Sequence, residues 1–398
     1  MGVKPGYKQT EAGAIPQEWE VERLKAIVQS PVTDGPHLTP KFTSDGIPFL
    51  SVNNLVDNKI DLSDLRFISQ FDHEVFSKKC KPQKDDILLG KAASVGKVAI
   101  VELDYEFNIW SPIALIRVSR SHAARFVYYQ LQTENLTCQI TLMTNSSSQG
   151  NIGMGDIEKL TLILPPLSEQ HAIATALSDV DGLLGGLDQL IAKKRDLKQA
   201  AMQELLSGKT RLPGFIDEWE VRRLGDLVQI EKGQLITRNT LLPGEIPVIA
   251  GGKKPAYHHA VANRSGRTIT ISASGANAGY VALYNDPIFA SDCSTISESD
   301  RYCLDFVYHQ LLRVQPEIYK LQTGGAQPHI HAKDLNPMTF SFPDLTEQTA
   351  IAGVLIDLDA EVAGLEARRE KTQALKQGMM QELLSGRIRL LQPEALHA

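Results

Sequence analysis

The sequence predicts a mixed α/β protein written twice: two globular α/β domains joined by two long helices that form an antiparallel coiled coil about a pseudo-two-fold axis. Three observations carry this. First, Leu167-Ser168-Glu169-Gln170-His171-Ala172-Ile173-Ala174 returns as Leu345-Thr346-Glu347-Gln348-Thr349-Ala350-Ile351-Ala352, displaced by 178 residues. Second, the same displacement aligns Gln203-Glu204-Leu205-Leu206-Ser207-Gly208 with Gln381-Glu382-Leu383-Leu384-Ser385-Gly386, so one element of fixed length is duplicated without a gap. Third, Glu18-Trp19-Glu20-Val21 and Glu218-Trp219-Glu220-Val221 open the two halves 200 residues apart. The displacement drifts between these phrases, so the intervening text diverges and changes length. The boundaries that follow are 1–165 for the first domain, 166–210 for the first helix, 211–342 for the second domain and 343–392 for the second helix. The pattern reads as a ring cut once, which makes the pseudo-two-fold relation and the antiparallel helices the natural arrangement.

The chain bounds these readings. Its 398 residues exceed one ordinary domain, and 42% apolar content supports several cores. No apolar run approaches the roughly 20 residues that span a bilayer, and Met1 to Tyr7 lack the apolar core of a signal peptide. The expectation is a cytoplasmic protein with no membrane partner. Cys80, Cys138, Cys293 and Cys303 form no C-x-x-C pair and are expected as reduced thiols. A net charge of −6 argues against a simple DNA-coating protein, which needs a basic excess.

In the first domain, β-rich runs fall at 47–52, 86–89, 97–101 and 113–118, with a helical stretch at 125–132. In the second they fall at 268–272, 280–283 and 287–290, with a helix at 304–314. Gly, Asn and Pro punctuate both. Ser168 and Thr346 suit helix N-caps, and Gly208 and Gly386 suit C-terminal stops. About 38 residues between them give roughly 57 Å of helix. Apolar residues alternate by four and three along Ile173, Leu177, Val180, Leu184, Leu187 and Ile191, resuming at Leu205. The second copy runs Ile351, Leu355, Leu358, Val362 and Leu365, resuming at Leu383. Lys194 and Lys198 interrupt the first seam, and Arg369, Thr372 and Lys376 the second. An amphipathic helix on a globular core shows a similar stripe, but length and duplication favour the coiled coil.

Candidate nucleic-acid contacts cluster in polar loops. In the first domain they are His37, Thr39, Lys41, Lys91, Ser94, Lys97, Gln149 and Asn151. In the second they are Lys253, Lys254, Tyr257, His258, His259, Arg264, Arg267, Asn277, Gln327 and His329. Lys and Arg suit phosphates and guanine edges, and Asn and Gln suit adenine. Solvation of an ordinary surface is the competing reading of each.

Catalytic motifs are missing. Asn285-Asp286-Pro287-Ile288 lacks the second Pro and the aromatic of an adenine methyltransferase. Gly90-Lys91-Ala92-Ala93-Ser94-Val95-Gly96-Lys97 has five residues between its glycines where a P-loop has four, and Val98 stands where magnesium needs Ser or Thr. His258-His259 and His329-Ile330-His331 have no second cluster to complete a metal site, so none is expected.

Gly6-Tyr7-Lys8-Gln9-Thr10-Glu11 with Ile15-Pro16-Gln17-Glu18-Trp19, Leu205-Leu206-Ser207-Gly208-Lys209-Thr210-Arg211-Leu212-Pro213-Gly214-Phe215, and Leu383 to Leu390 carry a resemblance that covers nearly the whole chain. By these phrases the chain resembles the specificity subunits of type I restriction-modification systems. The resemblance implies two target recognition domains, each reading one half of a gapped double-stranded DNA site, and helices that act as a ruler for the gap. It implies a subunit that is not itself an enzyme and recruits two modification subunits, which methylate adenine, and restriction subunits, which cut. S-adenosylmethionine, ATP and magnesium would then belong to those partners, and this chain would hold no cofactor. A bifunctional restriction system, a coiled-coil scaffold that reads no sequence, and a stand-alone enzyme are the rival readings.

Overall fold

The computed structural model describes residues 5–145, 150–325 and 327–390. It divides into two compact units, Met1–Gly186 with Glu370–Ala398, and Leu187–Arg369.

The first unit contains strands β1 (Glu20–Arg23), β2 (Thr33–Asp34), β3 (Ile47–Leu50), β4 (Arg66–Ile68), β5 (Ile87–Gly90), β6 (Val98–Ile100), β7 (Asn108–Ile109), β8 (Ile113–Ile116) and β9 (Thr161–Leu164). Its helices are α1 (Gln70–Ser77), α2 (Ala124–Gln130), α3 (Glu134–Met143) and the first part of α4 (Leu167–Leu205). Two hairpin strands, Tyr7–Thr10 and Gly13–Pro16, precede them. The second unit carries the rest of α4 and a parallel set. Its strands are β10 (Glu220–Arg223), β11 (Glu231–Lys232), β12 (Ile246–Ile249), β13 (Tyr257–His259), β14 (Thr268–Ser272), β15 (Val281–Tyr284), β16 (Phe289–Ala290), β17 (Cys293–Ser297) and β18 (Thr339–Phe342). Helices α5 (Leu304–Arg313) and α6 (Gln315–Lys320) lead to α7 (Leu345–Leu383), whose last part returns to the first unit.

The strands of the four-stranded sheet, the three-stranded sheet and the closing ribbon repeat one for one, while, among the described residues, a hairpin of Leu55–Val56 with Lys59–Ile60 belongs to the first unit only. The four-stranded sheet has the order β6-β5-β8-β2 in the first unit and β15-β14-β17-β11 in the second. The three-stranded sheet is β7-β3-β4 and then β16-β12-β13, with the β7–β3 and β16–β12 pairs parallel. A two-stranded ribbon, β1 with β9 or β10 with β18, closes each domain at the foot of its long helix. Fully buried β5, β6 and β8 explain why their sequences are continuous apolar runs rather than alternating ones. Strands β2, β4 and β17 and helices α1 and α3, unmarked in the sequence pattern, complete the domains.

Helices α4 and α7 both span 39 residues. They begin two residues earlier than the Ser168 and Thr346 caps would place them. Asp344 caps α7 instead, its Oδ1 accepting from Glu347 N at 2.9 Å. Gly208 and Gly386 lie in left-handed conformation (φ 71° and 73°), which stops the helices as expected.

The Glu-Gln pair in each first turn does more than complement the helix dipole. Glu169 is buried and accepts from Trp19 Nε1 (3.1 Å), Arg389 Nε (2.6 Å) and Arg389 Nη2 (2.7 Å). Its counterpart Glu347 accepts from Trp219 Nε1 (3.0 Å) and from Arg211 Nε and Nη2 (both 2.6 Å). Gln170 accepts from Ala123 N and Gln348 from Cys303 N, which pins each helix to its domain. Arg389 near the chain's end thus does in the first unit what Arg211 does in the second.

Within each unit, stretches of α4 and α7 run side by side in opposite directions. In the first, Lys376 pairs with Asp181 at 2.7 Å. In the second, Asp188 meets Arg369, Lys194 meets Glu361 and Lys198 meets Asp359. These are the polar residues that interrupt the seam. Ile173, Leu177, Leu184, Leu187, Ile191, Leu205, Ile351, Leu355 and Leu383 are buried, while Val180, Leu358, Val362 and Leu365 are partly exposed. Among the described residues, no helix is long and apolar enough to cross a membrane.

Candidate DNA interface

In the first unit three loops converge. One follows β2. Gly35 is required there, because a Cβ would stand 1.7 Å from Ile109 O. Beyond it His37, with its side chain 70% exposed, and exposed Thr39 and Lys41 project. The second loop joins β5 to β6 and is closed by Gly90 N to Lys97 O at 2.7 Å. It exposes Lys97 and half-buries Ser94. The third carries exposed Asn151, bridged to Ala92 and Asn145. Ile152 N donates to Lys91 O at 2.9 Å, joining the second loop to the third. Gln149 lies outside the described residues.

Beneath these loops sits Asp34, fully buried. Its Oδ1 accepts from Lys79 Nζ at 2.5 Å, and Lys79 also donates to Gly35 O at 3.0 Å. Its Oδ2 lies 3.2 Å from Lys91 Nζ and 3.3 Å from His37 Nε2. Burial opposes ionisation of this carboxyl, but Lys79 and Lys91 outweigh it and hold the group below the usual carboxylate range. Lys91, expected as a contact, is therefore a buried structural cation.

In the second unit the counterparts of the second and third loops, 273–279 and 323–330, converge with a different partner, the Lys253 loop that joins β12 to β13. Gly251 approaches so closely that a Cβ would lie 2.5 Å from Ser274 O, which brings the Lys253 loop against residues 273–279. Lys253 Nζ sits 5.5 Å from the centre of the Tyr280 ring, and Arg238 covers Tyr257 at the same distance. His329 and Thr323 exchange backbone bonds of 2.8 and 3.0 Å, while Gly275 N donates to Pro328 O and Ile330 N to Ala273 O. Lys253, Lys254, His258 and Gln327 are exposed; Tyr257, Asn277 and His329 are half-buried.

Three second-domain candidates are engaged inside the domain instead. His259 is buried, its Nδ1 accepting from Leu242 N at 3.0 Å. Arg264 bonds Thr295 Oγ1 and Asn263 O and pairs with Glu231 at 3.0 Å. Arg267 grips Asp305 with two bonds of 2.8 and 2.6 Å. Among the described residues, no three His, Cys, Asp or Glu side chains are grouped to hold a metal ion. Sequence reading missed Asp34, Lys79, Arg238, Ser274, Tyr280 and Asp292. The available signal was the repeated glycine after the first strand of each large sheet, Gly35 and Gly233, which marks where each loop leaves the core.

The type I restriction modification DNA specificity domain model matches residues 16–193 and again 216–376. A putative type I restriction enzyme MjaX specificity subunit from Methanocaldococcus jannaschii is 27% identical, covering 96% of this chain and 97% of the relative. The crystal structure of a type I restriction-modification S subunit from M. genitalium shares the fold with a TM-score of 0.68 at 16% identity, covering 96% of this chain and 98% of that one. A chain from a structure of type I restriction-modification complex assembly matches with a TM-score of 0.55 at 17% identity, over 94% and 99% of the two chains. With both halves matched by one model and the strand order repeated between them, this chain belongs to the type I restriction-modification DNA specificity family.

Proposed function

We propose that this chain is the DNA-reading subunit of a type I restriction-modification enzyme, each domain reading one half of a bipartite, gapped site. The observation that carries the reading is a repeated framework with divergent loops. The same strand order presents His37, Thr39, Lys41, Ser94, Lys97 and Asn151 in one domain and Lys253, Lys254, Tyr257, His258, Asn277, Gln327 and His329 in the other. A fixed frame with different donors and acceptors suits reading two different half-sites. Ser94 and Asn151 can address base edges, and the lysines suit phosphate.

The chain acts without catalysing. Adenine methylation with S-adenosylmethionine falls to two modification subunits, and ATP- and magnesium-dependent cutting to restriction subunits. The paired helices set the gap, and the assembly works in the cytoplasm. The test is a methylome. The chain is co-expressed with its neighbouring modification subunit in a methylation-free host, with a control lacking the chain, and modified adenines are mapped by long-read sequencing. A gapped two-part motif that depends on the chain is expected. A soluble complex that produces no motif would leave a scaffold that reads no sequence.

A further inference from the structure

We propose that Asp34 and Asp292 are positioning residues for sequence readout, each holding the hairpin loop that its domain presents to DNA. The inference rests on the reading of the two domains as half-site readers.

The two hairpins, β5–β6 and β14–β15, occupy equivalent places in equivalent sheets. Their backbones are held alike. Lys91 N donates to Pro112 O at 2.8 Å in the first domain, and Ala273 N donates to Asp292 O at 3.1 Å in the second. Each hairpin also bridges to the last loop of its domain, Ala92 to Asn151 and Ser274 to His329. The side-chain locks differ. In the first domain the Asp34 carboxylate sits on β2 opposite Ala114 and takes Lys91 from the hairpin, Lys79 from the segment after α1, and His37 from the neighbouring loop. The matching register position in the second domain, opposite Ser294, is Lys232, which supplies no carboxylate. There the lock comes from Asp292, which stands where the first domain has Pro112, and its Oδ2 accepts from the Ser274 hydroxyl.

The fold therefore does not dictate the lock, because the same backbone is held by two different ones. A carboxylate recurs in both, each time at the root of the hairpin. In the first domain it ties together two of the three loops that carry candidate contacts, and the third is joined to the hairpin by the Ile152 N to Lys91 O bond. Base readout requires donors and acceptors held within a fraction of an ångström, and ion pairs and hydrogen bonds that lock a loop's own side chains supply that rigidity. Asp34 Oδ2 is, among the described residues, the one buried side-chain oxygen or nitrogen without a hydrogen bond of regular geometry. Lys91 holds it by charge and His37 lies beside it, so its loss removes the group that both face.

The experiment is the methylome of the complex carrying Asp34→Asn, Asp292→Asn, or the milder Ser274→Ala, with thermal stability measured alongside. Asp34→Asn is expected to raise methylation at sites mismatched in one half of the motif by about tenfold, the discrimination of one good base contact, with the other half still strict. Asp292→Asn and Ser274→Ala are expected to relax the opposite half. Lys91→Met should relax the same half as Asp34→Asn, and the double variant should be no more relaxed than either single one. A motif that stays strict in both halves, or one that relaxes equally in both, overturns the proposal. So does a uniform fall in methylation that follows lost stability, which is what a purely structural role gives. If Asp34→Asn yields no folded chain, Ser274→Ala and Lys91→Met decide the matter. Absence of any gapped motif with the unaltered chain removes the half-site reading itself, and is distinguishable because it precedes the variants.

Discussion

Arg267 and Asp305 show how a single residue's role escapes the sequence. Arg267 reads as an exposed cation in a polar loop, yet its guanidinium is committed to a carboxylate 38 residues further on. The chain of contacts continues inward: the Asp305 carbonyl meets His309 Nδ1 at 2.8 Å, and His309 Nε2 meets Asp359 Oδ2 at 3.1 Å. The bonds from Arg267, opposed by burial, hold the Asp305 carboxyl below its usual value. A carboxyl whose pKa is lower folded than unfolded stabilises the fold fully above its unfolded value of 3.8. That contribution fades as the pH falls through the folded value. Asp305→Asn is thus expected to be less stable than the unaltered chain at pH 7, with the gap closing under acid. Urea denaturation of both proteins across pH 7 to pH 3 checks this; a gap of constant size would show that the pair contributes no linked charge energy.

At the scale of elements, the apolar seam and the ionic pairs between α4 and α7 compete to explain why the helices associate. Magnitudes decide for the seam. Partly exposed pairs such as Arg195 with Glu366 contribute about 0–1 kcal/mol each. Truncating a buried branched side chain costs about 2–5 kcal/mol. Ile191→Ala, at a position 5% exposed, is expected to lower stability by about 2–4 kcal/mol. Leu197→Ala, at a position 48% exposed on the same helix, should stay within about 0.5 kcal/mol. Equal losses in chemical denaturation would mean that the outer face is covered as well. These helices were legible because duplication at constant displacement marks both ends, and glycine stops them by a local rule. Their starts were read two residues late, because the caps involve Asp344 and the backbone of Pro166 rather than a side chain at Ser168 or Thr346. Strands such as Thr33–Asp34 were not legible at all: two residues carry no periodicity, and only their partners across the sheet define them. The interface was legible as a set of loops, since polar punctuation marks them. It was not legible as a division of labour, since Lys91 and Lys97 differ only in what the folded chain places beside them.

For the whole molecule, net charge and repeat length constrain function together. A net charge of −6 works against holding DNA by bulk attraction, so under the proposed function much of the phosphate neutralisation falls to partner subunits and this chain contributes orientation and choice. Under the proposed function, that choice includes the distance between two half-sites, set by two 39-residue helices of equal length. Inserting one heptad into both helices preserves the seam, since seven residues return each side chain to nearly the same face. It adds about 10 Å to each helix. At about 3.4 Å of DNA axis per base pair, the unread gap in the methylated motif should lengthen by about three base pairs, with both half-site sequences unchanged. Insertion into one helix alone should break the register and abolish methylation. The motifs are read from the methylome of each variant. An unchanged gap with methylation intact in the doubly lengthened protein would show that spacing is set by the partners or by DNA bending, and that the helices only hold the domains together.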